Sequence, residues 1–404
     1  MKKIINLFLS LILVSESFAQ ALGPGFWSIE MDRRIQVLGL DSLNKSFSLR
    51  PVLGFSDDST HTEVIFPRLI DDIKVFKTPI FLNTRFSNKR PVGYGDFGMI
   101  PTPGFQIMAS GGVSVQYKFL KLDLQPDFIF ATNSAFRGYE GFDRSVDRDK
   151  FYFANNSDFP ERFGENAYSK LGWGQSSFML GYGSFEAGIS TKNIWWGPGQ
   201  WNSLILSTNA PGFLHLTLRT KKPAKTFIGN FEGEIISGRL ENSGFGAIQD
   251  QTLNDSLFRT FSGDWRYLNG INITYSPKWV KGLSFGFSRT FQVYSELMGN
   301  TFQDYFPIFE GFSKERFFQN GNSVEFDQNG RDQQVSVFAR IVIPKVKTDL
   351  YFEFGKRDHN FNWREFILNP EHARAFLMGI NKMFDFGISN YLFQFRGEIS
   401  HQQE

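Results

Sequence analysis

The feature that most constrains this chain is an alternation with a period of two. Leu122, Leu124, Phe128 and Phe130 alternate with Lys121, Asp123, Gln125 and Asp127, and Leu283, Phe285 and Phe287 alternate with Ser284, Gly286 and Ser288. The pattern returns in Leu350, Phe352 and Phe354 against Asp349, Tyr351 and Glu353, and in Tyr391, Phe393, Phe395 and Ile399 against Gln394, Arg396, Glu398 and Ser400. Successive side chains of a strand point to opposite faces, so each run is a strand with one apolar and one polar face. The runs are about ten residues long, the length a tilted strand needs to cross a bilayer.

The connections alternate too. Lys118 to Lys121, Gly183-Ser184, Lys221 to Lys225, Ser276 to Lys281, Pro344-Lys345 and Asp385 to Asn390 are short. Between them lie the long polar stretches Asn133 to Gly172, Thr191 to Gly212, Arg239 to Arg259, Tyr294 to Arg331 and Asp358 to Pro370. Short turns at one end and long loops at the other predict an all-β fold, an antiparallel transmembrane β-barrel of the bacterial outer membrane. Composition agrees: Phe alone supplies 48 of 404 residues, more than one soluble core needs and in keeping with a lipid-facing surface.

At the N-terminus Lys2-Lys3 precedes an apolar run from Ile4 to Val14 and a small-x-small site at Ser17-Phe18-Ala19. This reads as a signal peptide over residues 1–19, because the run is too short to span a bilayer. Residues 20–80 are expected to form a periplasmic or first-hairpin segment, with Ile29 to Leu38 and Ser46 to Leu53 as the hairpin. Val64 to Phe76 is expected as a short helix or an irregular periplasmic stretch. The barrel is expected over residues 81–404, with its long loops facing the cell exterior. By this count the strand at 389–400 runs outward. A closed barrel of even strand number needs a further strand after it, so the chain reads as missing its last strand or strands.

Several function classes are excluded. With 43 basic and 41 acidic residues the net charge is +2 and no basic stripe stands out, so nucleic acid is not an expected partner. There is no cysteine, hence no disulfide, thiolate metal site or cysteine nucleophile. His61, His215, His359, His372 and His401 lie far apart, and neither a Gly-x-Ser-x-Gly nor a phosphate-loop motif occurs. Asp143-Arg144-Ser145-Val146-Asp147-Arg148-Asp149-Lys150 interleaves cations with its carboxylates, as in a solvated, self-paired loop rather than a calcium site. No enzyme, metal or cofactor is expected. A hydrolase would have to use Ser203 or Ser207 with His215, a trio without an evident orienting group.

Binding remains. The stretch from Asn193 to Arg219 carries Trp195-Trp196-Gly197-Pro198-Gly199, Trp201-Asn202-Ser203 and Asn209-Ala210-Pro211-Gly212-Phe213. Gly and Pro fix turns while Trp supplies flat surface, which makes a rigid aromatic loop between two strands. The apolar face of a sugar ring stacks on such aromatics and its hydroxyls meet amides and guanidinium. Trp195, Trp196, Trp201, Asn202, Asn209 and Arg219 are therefore the candidate polysaccharide-binding residues. The same tryptophans equally suit a loop packed onto the barrel rim or an interfacial aromatic belt. A porin is the alternative function, with Lys121, Asp123, Asp127, Glu232, Glu234, Asp349 and Glu353 lining a water-filled lumen.

The run Trp195-Trp196-Gly197-Pro198, Asn202 to Ser207 and Asn209 to Phe213 resembles the signature of the Wzi capsule-assembly family. The resemblance continues in Tyr267 to Pro277, Gly282 to Thr290, Tyr351 to Lys356 and Pro370-Glu371-His372. It implies an outer-membrane barrel lectin that holds capsular or other surface polysaccharide without turnover. Outer-membrane lipid and polysaccharide-export machinery are the further partners it implies. The family's periplasmic helical region has no full counterpart expected in residues 26–80.

Overall fold

The computed structural model describes residues 26–40, 45–51, 73–78, 80–93, 97–259, 265–310, 331–357, 374–385 and 392–403. The chain opens with helix α1 (Phe26–Val37) and a short strand β1 (Leu49–Pro51). Then come β2 (Ile73–Lys77), β3 (Phe81–Ser87), β4 (Gly104–Ser110), β5 (Val113–Tyr117), β6 (Leu120–Leu124) and β7 (Asp127–Ala131). Helix α2 (Arg144–Asn156) precedes β8 (Tyr168–Gly172), β9 (Ser177–Tyr182), β10 (Phe185–Ser190), β11 (Ile194–Trp196), β12 (His215–Thr220), β13 (Ala224–Lys225) and β14 (Gly229–Glu241). Helix α3 (Gln251–Leu257) is followed by β15 (Trp265–Pro277) and β16 (Leu283–Tyr294), and α4 (Phe302–Tyr305) by β17 (Asp332–Ile343), β18 (Thr348–Arg357), β19 (Arg374–Asp385) and β20 (Leu392–Gln402).

The wall is an antiparallel meander. A fourteen-stranded sheet runs in the order β2-β5-β6-β9-β10-β12-β14-β15-β16-β17-β18-β19-β20, with β13 beside β14. A four-stranded sheet, β3-β4-β7-β8, continues its first strands. The pairings show why there are two: β2 pairs with β5 while β3 pairs with β4, and β6 pairs with β9 while β7 pairs with β8. Each is one long strand interrupted, and the interruptions fall opposite one another, one of them at Gln125-Pro126 where proline has no N–H to give the ladder. Among the described residues, β2 and β20 are the two ends of the path.

The faces of the wall are inverted relative to a soluble protein. Phe178, Leu180, Leu216, Leu218, Phe285, Val337, Phe352 and Phe395 are exposed, whereas Asn269, Asn272, Ser288, Arg340, Asp349, Glu353 and Asn381 are buried. In β18 the switch occurs residue by residue: Phe352 is 45 % exposed while its neighbours Tyr351 and Glu353 are 4 % and 0 % exposed. Apolar outside and polar inside is the arrangement that lipid demands, since the bilayer solvates hydrocarbon and the interior must satisfy its own polar groups. The chain is an antiparallel transmembrane β-barrel in fold class, and the alternating runs of the sequence fall on β6 and β7, β16, β18 and β20 as expected.

The N-terminal expectation fails. Residues 29 to 38 are not a strand of a hairpin but belong mostly to α1, and β1 pairs instead with β11. Among the described side chains of α1, Glu30, Arg33 and Val37 are buried and lie on one helical face. Two of the three are charged, so no apolar periodicity announces the helix. Among the described residues the first strand of the wall is β2, which starts at Ile73. Of the stretch Val64 to Phe76, residues 73–76 lie in β2 and residues 64–72 lie outside the described residues, as do the connections at 358–370 and 386–390.

The acidic-basic run is also corrected. Residues 144–150 lie in α2, and Asp143 caps the helix by accepting from the backbone N–H groups of Ser145 and Val146. Asp147 accepts from Tyr139 Oη at 2.6 Å and Phe142 N at 2.9 Å. These carboxylates serve the local fold.

The inverted faces make the wall sensitive to charge on its outer side. Phe352→Arg is expected to lower stability in lipid vesicles by about 2–4 kcal/mol, whereas Phe227→Arg in a short turn is expected to be near neutral. Denaturant titration of both variants in vesicles checks this, and equal effects would contradict a lipid-facing β18.

Candidate functional site

The Trp loop folds inward. It leaves the wall after β10 and returns at β12, and its neck is closed by two bonds between Gln175 and Asn193, at 2.7 and 3.0 Å, and by Asn193 Nδ2 donating to Ala210 O at 2.7 Å. Inside, β11 forms a two-stranded ladder with β1, placing Trp196 opposite Leu49 and Trp195 opposite Arg50. Gly197 N donates to Ser48 O at 2.9 Å. Two segments far apart in sequence thus complete each other's backbone hydrogen bonds within the lumen.

Trp196 is the centre of this packing. It is fully buried among Ile194, Ile236 and Leu268, with Leu206 and Phe213 against the cluster. Its indole Nε1 donates to Glu234 Oε2 at 2.8 Å, and Thr217 Oγ1 donates to the other oxygen at 2.9 Å. Gly270 in the wall makes room for the ring: a Cβ there would lie 2.8 Å from Trp196. Gly197 has a φ of +113°, and a Cβ on it would lie 2.7 Å from Glu353 Oε2. Both the turn and the approach to the wall therefore require glycine at this position.

Beyond Gly197 the loop meets the far wall. Gln200 N and Asn202 N donate to Glu398 at 2.6 and 2.8 Å, Asn202 Nδ2 adds a bond of 3.1 Å, and Tyr351 Oη donates to the same carboxylate at 2.7 Å. Pro198 O accepts from Arg33 Nη1 at 2.8 Å, and Gly199 O from Arg50 Nη2 at 2.5 Å. Arg33 of α1 then binds Asp349 Oδ2 at 2.8 Å, and Arg340 binds both oxygens of Asp349 at 2.9 Å. Arg340 Nη1 also donates to Ser46 O at 2.9 Å. Glu30 completes the seam with Arg396 at 3.1 Å and Gln394 at 2.7 Å.

This cluster is crowded with cations. Burial, then repulsion from Arg33 and Arg340, holds the Arg50 guanidinium well below its ordinary pKa. Burial is the largest influence on Arg33 too, but Asp349, Tyr351 and Glu30 together outweigh it and hold the group above its ordinary value. The difference lies in the partners, since Arg33 has a carboxylate and Arg50 has backbone carbonyls and the Trp195 ring, 5.2 Å from its Cζ.

The six predicted binding residues are not gathered on one open face. Trp195 and Trp196 are 7 % and 0 % exposed, Trp201 and Asn202 are half-buried against β20, and Asn209 is exposed. Trp201 lies over the Arg396 guanidinium at 5.3 Å. Arg219 points inward near the short-turn end of β12, paired with Glu186 at 2.6 Å. Sequence reasoning missed Arg33, Arg50 and Glu398, the residues that fix the loop. The alternation did mark Glu398 as inward-facing, but nothing local to it signals a partner nearly two hundred residues away. Ser203 Oγ donates to Trp196 O, Ser207 Oγ accepts from Asn209 N at 3.2 Å, and His215 Nδ1 lies 2.7 Å from Phe213 O. The three form no relay.

The loops 133–172 and 239–259 pack against one another. Phe151 of α2 packs with Ala247 and Ile248 beside α3, joined by Tyr139, Leu253 and Phe258. Asn155 donates to Leu257 O at 3.1 Å and accepts from Arg259 N at 2.8 Å. Glu161 accepts from Tyr139 N and Gln249 N at 2.8 and 3.1 Å. Two loops expected only as polar stretches form a small two-helix cap.

The profile of a family described as capsule assembly protein Wzi matches residues 126–402, from the start of β7 to the end of β20. The chain belongs to this family. The matched range takes in the Trp loop, its carboxylate partners Glu234 and Glu398, Asp349 and Glu353 of β18, and the two-helix cap. α1 and β1, which supply the arginines Arg33 and Arg50, lie before it. No curated protein matches the chain. Among solved structures the chain is similar to Wzi of Escherichia coli, described as an outer membrane protein involved in group 1 capsule assembly and a carbohydrate-binding β-barrel. That similarity has 14 % identity and a TM-score of 0.43, over 78 % of this chain and 54 % of that one. OccK8 (OprE) of Pseudomonas aeruginosa is similar at 8 % identity and a TM-score of 0.34, over 82 % of this chain and 74 % of that one. The chain therefore spans about half the length of the E. coli protein.

Asp349 is the shared partner of two buried guanidiniums, so its loss leaves both uncompensated. Asp349→Ala is expected to cost about 3–5 kcal/mol and to open α1 to protease in the folded barrel. Denaturant titration and limited proteolysis in detergent check this. Wild-type stability with α1 still protected would remove the network from its holding role.

Proposed function

We propose that the chain binds capsular or other surface polysaccharide at the long-loop end of its barrel and holds it on the cell exterior, assisting capsule assembly without chemical turnover. The observation that carries this is where ordered surface is offered. The lumen is occupied by the chain's own Trp loop and α1, while the opposite investment of structure, a packed helical cap, stands at the long-loop end. Membership of a capsule-assembly family supports the class of ligand. Outer-membrane lipid surrounds the wall, and the export machinery delivers polymer to the loop end.

Within the Trp loop, Asn209 with Ala210 and Pro211 at the exposed bend makes the sugar contact. Trp195, Trp196, Trp201, Asn202 and Arg219 act by fixing the loop's shape. The porin alternative is disfavoured because Asp123, Glu232, Glu234 and Asp349 are engaged by Lys192, Ser46 N, Trp196 and the two arginines instead of facing an open channel.

The test is polymer retention at the cell surface. A strain lacking the protein is expected to shed polysaccharide into the medium, and Asn209→Ala is expected to weaken retention while the purified variant remains non-conducting in planar bilayers. Unchanged retention in the deletion strain together with steady channel currents from the wild-type protein would replace this reading with the porin.

A further inference from the structure

Beyond β16 the chain folds back over the barrel mouth in a short segment that the wall reading does not require. Thr301 and Asp304 cap α4 reciprocally: the Asp304 carboxylate accepts from Thr301 N and Oγ1 at 2.8 and 2.7 Å. Tyr267 Oη donates to Tyr305 O at 2.6 Å. Arg289 donates to Ile308 O and Glu310 O at 3.1 and 2.7 Å while also gripping Gln333 Oε1 at 2.6 Å. Arg331 bridges Asp304 and Glu310. The backbone of 301–310 is thus fixed from both sides.

On this fixed segment Phe302 and Phe309 are exposed and Phe306 between them is half-buried. Phe302 stacks on Phe306 with centroids 5.0 Å apart, and Phe306 lies 6.4 Å from Phe309 at a tilt of 33°. Phe302 and Phe309 are 67 % and 63 % exposed. The lipid surface does not account for them. The anchors of the segment, Asn269 and Arg289, are buried residues on the inward face of β15 and β16, so the rings lie over the mouth and not against the outer face of the wall.

We propose that Phe302, Phe306 and Phe309 form a stacking ledge for sugar rings of the polysaccharide, with Asp304, Glu310 and Arg331 as its polar rim. This rests on the polysaccharide reading above. The chemistry matches a glycan in particular: an apolar C–H face against the rings and hydroxyls against carboxylate and guanidinium at their edge. The ledge is rigid before binding, so little ordering entropy opposes capture of the polymer.

The introduced-cysteine route is open because the chain has no cysteine of its own. Capsular polysaccharide extracted from the producing strain is titrated against detergent-folded protein, with folding checked by heat-modifiable gel mobility. Phe302→Ala with Phe309→Ala is expected to bind about tenfold more weakly, the effect of two lost aromatic contacts. Phe302→Tyr is expected to bind as wild type, as is a short-turn control, Phe227→Ala with Trp279→Ala. Wild-type affinity in the folded ledge variant overturns the ledge and leaves the polysaccharide reading standing. No binding by the wild-type protein overturns both. A solvatochromic dye on Phe309→Cys is expected to shift to the blue with polymer, and quenching of that dye by brominated lipid in vesicles would assign the ledge to the membrane and overturn the proposal.

Discussion

The structure depends on one constraint: a wall that turns hydrocarbon toward lipid must turn its charges inward, and those charges need partners. Asp349, Glu234 and Glu398 are buried or half-buried carboxylates that need partners, because an unpaired buried carboxylate is among the costliest groups a fold can hold. Asp349, Glu234 and Glu398 are met by segments of the same chain that enter the lumen. α1 brings Arg33, and the Trp loop brings the indole N–H of Trp196 and the backbone N–H groups of Gln200 and Asn202. Wall and plug specify each other, since neither satisfies its polar groups alone.

That mutual dependence explains the placement of Trp196. A loop exposed to water needs no Trp at full burial. A loop crossing a polar lumen gains from a side chain that brings apolar bulk and a directed donor, and the indole of Trp196 supplies both. Trp196 fills the space above Gly270 and still reaches Glu234. The same residue type that suggests sugar stacking in sequence is here a structural wedge, and composition cannot separate the two uses.

The wall was legible because its rule is local. Whether Phe352 faces lipid and Glu353 the lumen follows from a two-residue period, and strands such as β16 and β18 fall where the alternation places them. The plug was not legible because its rule is distant. Arg33 and Asp349 are joined by a bond spanning more than three hundred residues, and α1 hides from periodicity because its buried face carries Glu30 and Arg33. β1 was read as half of a local hairpin, but three residues of strand have no register of their own until β11 supplies one. The inward path of the Trp loop is set at a distance for the same reason, by the carboxylates Glu234 of β14 and Glu398 of β20.

Beside the phenylalanines buried in the core, such as Phe151 and Phe291, exposed ones stand in different surroundings. Phe178, Phe285, Phe352 and Phe395 lie on strands and face lipid, where exposure is favourable. Phe302 and Phe309 lie beyond the strand ends on a segment tied to the inward face, where exposure meets water and is unfavourable. Folding alone would be served by a polar loop at those positions. Rings held out by Arg289, Arg331 and a capped turn are kept exposed by directed bonds, so the cause of their exposure has to be sought in what approaches the mouth from outside.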